Sequence, residues 1–422
     1  MISDQPATIP LDYAAPPRAA EPPSRPAARL DYVDGLRGLA ILIVFLYHSW
    51  QYSGNPSAHW WNPLRSGFIG VNLFLVISGF CLYWPMVKSG GAPREPTLRQ
   101  FAWRRARRIL PPYWTALAAF TVLWLVTPRF GISVSAYDLS PRELLRSAGW
   151  HALMVHNLRP DHIWLIDSSL WSLPLEVNLY LAMPILVIFA RRFGIFRAVV
   201  LASTITVAYR LGIYIYLHGK LGTSGLDYES GFALFYFFLG RWMEFALGMW
   251  CAVLTSQHSH RRSPQVLVAL SALFIVGGIA LTDFQSFFSP FNDICFGIGF
   301  FFLLLSAADA RGPVSRFLRW KPLVLLGTIS YSLYLLHDPL LALLTTLIQN
   351  HVHRHVFIFA ICVSVFFPAI LGLTTLFYLL AERPFIGNPR VRAARDAELL
   401  PATAINTTGS PRRDEEHEEP RS

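Results

Sequence analysis

The feature that most constrains this chain is a series of apolar runs, each long enough to cross a bilayer. A helix needs roughly 20 apolar residues to span the hydrocarbon core. Runs of that order recur at about 36–53, 67–87, 109–127, 171–190, 196–217, 232–255, 265–283, 290–308, 322–347 and 356–381 of the 422 residues. The connector around 283–290 is short and mostly apolar, so the seventh and eighth runs are the least clearly separated. Composition agrees: 53% of residues are hydrophobic and only 15% charged, against about a quarter charged in a soluble domain. A soluble fold of this make-up would lack the polar surface to cover itself. The expectation is an all-α polytopic membrane protein with about ten transmembrane helices.

A formal net charge of +10 would ordinarily prompt a nucleic-acid partner. Its distribution argues otherwise. With ten spans the loops fall into two sets, and the set that includes both termini carries 26 Lys and Arg against 7 in the other. Such a bias marks the cytoplasmic side. Both termini are therefore expected in the cytoplasm, with the protein in the inner (cytoplasmic) membrane, and no nucleic-acid partner is expected. Cys81, Cys251, Cys295 and Cys362 lie far apart inside apolar runs, which indicates neither a disulfide framework nor a zinc site. Residues 1–30, rich in Pro and Ala, read as a disordered cytoplasmic arm and 387–422 as a disordered charged tail, leaving 31–386 as the membrane domain.

Ionisable residues inside spans are expensive and default to function. Arg37 and His48 are eleven residues apart on the first run. Eleven helical steps return to within about 20° of the same face and rise about 16 Å. His48 thus looks along the same groove as Arg37, from the outer half of the membrane. Glu176 lies five residues into the fourth run, which is read as entering from the outer side, so it too is placed in the outer half. A carboxylate and an imidazole at matching depth form a candidate catalytic pair, the Glu orienting a His that takes a proton from a hydroxyl. A structural pair joining two helices fits the same spacing. Arg241 and Glu244 are three apart on one helix face and read as a structural ion pair. Arg210 on the fifth run is read at the depth of the outer half and suits an anionic group or a helix end. In the ninth run Ser330, Tyr331, Tyr334 and His337 share the outer half, with Asp338 placed near the outer surface. The stretch holding Arg104, Arg105, Arg107 and Arg108 fits either a basic stop that attracts anionic lipid or a polyphosphate site. His351, His353 and His355 alternate in a short loop with no carboxylate nearby, and no metal site is expected.

Taken together these segments resemble membrane acyltransferase family 3, bacterial O-acyltransferases that modify sugars and other surface or secreted compounds. The likeness covers about 31–386 and rests on DGLRGLAILIVFLYH, GFIGVNLFLVISGF, FAWRRARRILPPYW, WSLPLEVNLYLAMP, RWMEFALGM, ISYSLYLLHDP and AERPF, in that order. Arg37 and His48 form the Arg-x10-His pattern that marks the family. The resemblance implies an acyl group, commonly acetyl, taken from cytoplasmic acyl-CoA and passed to a hydroxyl of a glycan, glycolipid or secreted sugar-containing compound. Acyl-CoA is then a co-substrate, with no resident cofactor. By this reading Arg37, Arg104, Arg105 and Arg108 hold the CoA phosphates, His48 is the base and Glu176 its partner. Ser78, Tyr331, Tyr334, His337, Arg241 and Glu244 serve the acceptor or support the site. Gly67, Gly70, Ser78 and Gly79 let the second helix approach the conduit. Val177 and Asn178 follow Glu176 where relatives often have a second acidic or amide residue, and Asp338 stands where many carry an aromatic one. Some relatives carry a fused esterase-like domain; none is seen after Glu382, so direct transfer, or a separate partner transferase, is expected. The competing readings are a transporter or flippase and an acyl relay.

Overall fold

Runs that are apolar on every face form helices, because a backbone in lipid must satisfy its polar groups within its own segment. The computed structural model describes residues 30–54, 63–88, 97–134, 137, 139–221, 228–257, 263–285, 290–309 and 312–386. The two expected arms lie outside these, apart from Leu30. Residues Leu30–Ile386 form one unit, and among the described residues there is no β-strand.

The helices are α1 (Asp31–Tyr52), α2 (Gly70–Lys88), α3 (Leu98–Val126), α4 (Pro141–Ala152), α5 (Ser172–Phe193), α6 (Ile195–Leu221), α7 (Tyr228–Phe235) and α8 (Trp242–Ser256). They continue with α9 (Pro264–Gln285), α10 (Asn292–Ala308), α11 (Pro313–Leu318), α12 (Lys321–Thr328), α13 (Ser330–Gln349), α14 (His355–Ile361) and α15 (Phe367–Phe377). Eight helical segments of the described residues are long and apolar enough to cross a membrane: Asp31–Tyr52, Pro63–Lys88, Leu98–Phe130, Ser168–Phe193, Ile195–Leu217, Pro264–Thr282, Ser330–Gln349 and His355–Phe385. The chain is a multi-pass all-α membrane protein.

The two remaining expected runs are built differently. The run at 232–255 is broken: α7 ends at Phe235, a 3-10 turn covers Phe238–Arg241, and α8 follows with 15 residues. The run at 290–308 is the 17-residue α10. Both carry buried charge. α8 packs along α2 and α10 along α9, so each is shielded by neighbours. Backbone contact is closest between α2 and α8. A Cβ on Gly79 would run into the carbonyl oxygen of Phe245, and one on Gly248 into that of Val76. Small residues are what permit such an approach between membrane helices. Gly79 therefore serves α8, whereas Gly67 and Gly70 serve the approach to α1.

Candidate active site

Helices α1, α2, α7 and α13 and the turns between helices meet around a cavity of about 240 Å³ at the His48 end of α1. His48 lines it and is 13% exposed; its Nδ1 lies 2.9 Å from Oδ1 of Asp338, which is fully buried. Asp338 is reached from three more directions. Tyr52 donates to Oδ1 at 3.0 Å. Tyr137 donates to Oδ2 at 2.6 Å, and the Ser168 backbone N–H and hydroxyl reach the same oxygen at 3.1 and 2.8 Å. Five donors converge on two oxygens, so the carboxylate acts as an acceptor throughout. The proton of the imidazole must then sit on Nδ1, which leaves Nε2 as the basic nitrogen of a side chain that lines the cavity.

Local backbone geometry brings Ser168 to this position. Ile166 is fully buried with φ +72°, a conformation costly for a β-branched residue. Its carbonyl accepts from Trp124 Nε1 at 2.8 Å. Beyond it Asp167, Ser169 and Leu170 are buried in the bundle, and Ser168 and Trp171 line the cavity. Ser169 Oγ donates to the Tyr334 carbonyl at 3.2 Å, and the Tyr334 hydroxyl donates to the Ser169 carbonyl at 2.8 Å. Beside it, burial and the neighbouring Asp338 push the Asp167 carboxyl well above the usual carboxylate range. That keeps a second negative charge away from Asp338. His337 donates through Nδ1 to the carbonyls of Leu333 and Tyr334, and its ring meets His48 edge-on with centroids 5.0 Å apart. It packs behind the base, and it does not line the cavity.

A second, narrower cavity of about 70 Å³ lies toward the Arg37 end of α1. Arg37, Arg105, Arg108, Ser78, Glu176 and Tyr331 line it. The Glu176 carboxylate accepts from Ser78 Oγ at 2.8 Å and from the Tyr180 hydroxyl. Glu176 is thus not the partner of His48. The expected pairing assumed that the fourth run starts at the membrane surface. Because residues 168–171 already lie at the level of the first cavity, five more residues carry Glu176 about 7 Å further toward the arginines. Asp338, expected near the outer surface, holds the position instead. Arg104 also departs from expectation: it is exposed and does not line the cavity that Arg105 and Arg108 share. Tyr331 spans to α3, donating to the Ile109 carbonyl at 2.9 Å.

Arg241 and Glu244 do pair, Nε to Oε2 at 2.7 Å, and both are buried. They belong to a larger set. Asp293 of α10 bridges Arg241 and Arg210, at 2.5 and 2.8 Å. Asn72 Nδ2 donates to both Glu244 and Asp293 at 2.8 Å. Arg210 also donates to the carbonyl of Pro290 at 2.8 Å. Two cations meet two anions, and Arg241 and Asn72 form part of the wall of the first cavity. Aromatic rings make another part: Trp171 packs on Phe232 and Tyr236, and Trp164 on Phe232, with centroids 4.4–4.9 Å apart.

Outside the spans, His151 and His156 stack with ring centroids 3.8 Å apart. Burial lowers both, His151 to about 4 and His156 well below the usual imidazole value. Among the described residues no group of three His, Cys, Asp or Glu is placed to hold a metal ion. His355 donates to the Ser53 carbonyl at 2.7 Å.

A family model described as an acyltransferase domain matches residues 30–374. The chain is similar to the O-acetyltransferase OatA of Staphylococcus aureus, 24% identical over 344 residues, covering 79% of this chain and 54% of that protein. It is also similar to the peptidoglycan O-acetyltransferase OatA of Listeria monocytogenes, 25% identical over 329 residues, covering 75% of this chain and 50% of that protein. The chain thus spans about half the length of these relatives. No solved structure matches.

Proposed function

The chain belongs to the membrane acyltransferase family whose domain model it matches, and from that premise we propose that it moves an acyl group, acetyl in the simplest case, from acyl-CoA to the hydroxyl of a glycan or sugar-containing acceptor. The observation that carries the reading is the His48–Asp338 pair, whose free Nε2 belongs to a side chain lining a cavity large enough for a sugar ring. In acyl transfer the acceptor hydroxyl gives its proton to His48 Nε2 as its oxygen attacks the thioester carbonyl. The C–O bond forms, the C–S bond breaks, and the departing CoA thiolate takes the proton from the imidazolium. Asp338 stabilises that imidazolium and holds its orientation, the task of the acid in Ser-His-Asp sites. The aromatic wall of Trp164, Trp171 and Phe232 suits the apolar face of a sugar ring, in keeping with a relative that acts on peptidoglycan.

Arg37, Arg105 and Arg108 converge on the narrower cavity, where guanidinium groups suit the phosphates of CoA. The loop-charge bias supports placing this end in the cytoplasm. The roughly 16 Å from Arg37 to His48 is then the path of the extended pantetheine arm. Glu176, tied to Ser78 and Tyr180, positions this cavity and takes no part in proton transfer. Membranes containing the full chain should pass label from acetyl-CoA to glycan. His48→Ala should abolish the transfer with protein levels unchanged, and activity retained by that variant removes His48 as the base.

A further inference from the structure

Three helices, α1, α2 and α13, contribute residues to both cavities. On α2 one face carries Val71, Phe74 and Ser78; on α13 one face carries Tyr331, Tyr334 and Asp338. Steps of three and seven residues stay on one helix face, within about 60°. On α1 Arg37 and Val44 repeat at seven and His48 follows at eleven. Val71, Val44 and Tyr334 border the first cavity, and Ser78, Arg37 and Tyr331 the second. Phe74 lies between the two on its stripe and belongs to neither lining. Its ring meets Tyr334 edge-on, with centroids 6.1 Å apart. Phe74 packs against both of the large apolar clusters of the bundle, and Tyr334 is a buried member of one of them.

The two rings are held differently. The Tyr334 hydroxyl is fixed by the Ser169 carbonyl at 2.8 Å and the Ser172 hydroxyl at 2.7 Å. Phe74 has no polar atom and is held by packing alone. Tyr334 is a fixed post; Phe74 is the side that can turn.

We propose that the Phe74–Tyr334 contact is the gate through which the acyl thioester passes from the arginine cavity to His48, and that Phe74 sets the length of acyl chain admitted. This rests on the acyl-CoA reading above. A chain entering between the rings displaces Phe74, and each added methylene needs further displacement. Shortening Phe74 removes that demand without touching the arginines or the His48–Asp338 pair.

The test uses membrane vesicles holding the full chain and its native acceptor, supplied with radiolabelled acetyl-CoA or butyryl-CoA, with label read in the glycan fraction. Phe74→Ala should raise butyryl relative to acetyl transfer by at least about tenfold, the scale on which one or two methylenes are discriminated. Binding of CoA itself should be unchanged. Phe74→Leu, a milder change, should shift the ratio in the same direction by a smaller factor, and it stands in if the Ala variant does not accumulate. An unchanged ratio in an active variant overturns the gate while leaving the acyltransferase reading intact. So does a parallel loss of both acyl transfers and of CoA binding. Absence of transfer by the wild-type chain overturns the acyltransferase reading, and the gate with it.

Discussion

Replacing Asp338 with Asn isolates the effect of hydrogen-bond direction on the candidate base, because size and shape barely change. An amide presents one acceptor and one donor where the carboxylate presents two acceptors. Oδ2 receives three donors, one of them the Ser168 backbone N–H, which cannot reorient. Oδ1 receives two, from Tyr52 and His48. The amide oxygen therefore takes the Oδ2 position and the NH2 group faces His48 Nδ1. His48 responds by moving its proton to Nε2, and the nitrogen needed as base becomes a donor. Loss of the charge also removes the counter-ion of the imidazolium. In a triad the same change lowers turnover by about 10⁴ through the wrong tautomer, and a loss of 10³ to 10⁴ is expected here, about 4–5.5 kcal/mol of barrier. Folding should lose only about 1–3 kcal/mol, the cost of mismatched buried donors. The assay is label transfer from acetyl-CoA in membranes normalised to protein level, with CoA binding measured in parallel. Transfer within tenfold of wild type would refute the assignment of Asp338 and the tautomer argument with it.

Three further outcomes follow from the geometry. Glu176→Gln keeps an acceptor for Ser78 and Tyr180 but removes the negative charge lining the arginine cavity, so the KM for acyl-CoA should fall about two- to fivefold with kcat changed little; a collapse of kcat in steady-state kinetics would return Glu176 to the chemistry. Arg241→Ala leaves Glu244 and half of Asp293 without a counter-ion, which costs about 3–5 kcal/mol in a buried network; thermal unfolding in detergent should show the largest loss among these variants, and Arg241→Lys a smaller one. Stability should also fall in acid because of the His151–His156 stack. His151 titrates near 6.5 when unfolded and about 4 when folded, so below pH 6.5 the unfolded chain binds the extra proton. The contribution is complete above pH 6.5 and is lost as pH falls toward 4, by about 3 kcal/mol for His151. The drop in melting temperature between pH 7.5 and 5 should shrink in His151→Gln.

Hydropathy made most of the fold legible, since eight of the ten runs became helices of spanning length. The two that did not, the runs at 232–255 and 290–308, carry Arg241, Glu244 and Asp293, and no apolar average registers how such charges will pair. Arg241 with Glu244 could be read because three residues on one helix face must meet. Asn72, Arg210 and Asp293 come from three other helices, and no spacing links them. The site was legible in part for the same reason. Arg37 and His48 share one helix, and their stripe is a matter of rotation. Glu176 was misplaced because depth was counted from an assumed surface, and the inward turn at Ile166 moved the start of the count. Asp338 carried a usable signal: eleven mostly apolar residues follow it before α13 ends at Gln349, so it cannot lie at the surface. Tyr52, Tyr137 and Ser168 reach it from three separate elements and left no pattern to read.

The balanced set of Arg210, Arg241, Glu244 and Asp293 has a consequence for how the chain is made. Arg210 enters the membrane on α6 and Arg241 just ahead of α8, while the carboxylate they share arrives only with α10. Until then one guanidinium has only Glu244 and the other has no acidic partner in this set, and a charge at mid-membrane resists insertion by about 2.5–3.5 kcal/mol. Helices α6, α8 and α10 complete one another's charge, which favours their entering the lipid as a group over entering it one by one. A chain interrupted after α9 would hold two guanidiniums against one carboxylate, and that single unmatched cation sets an unfinished protein apart from a finished one.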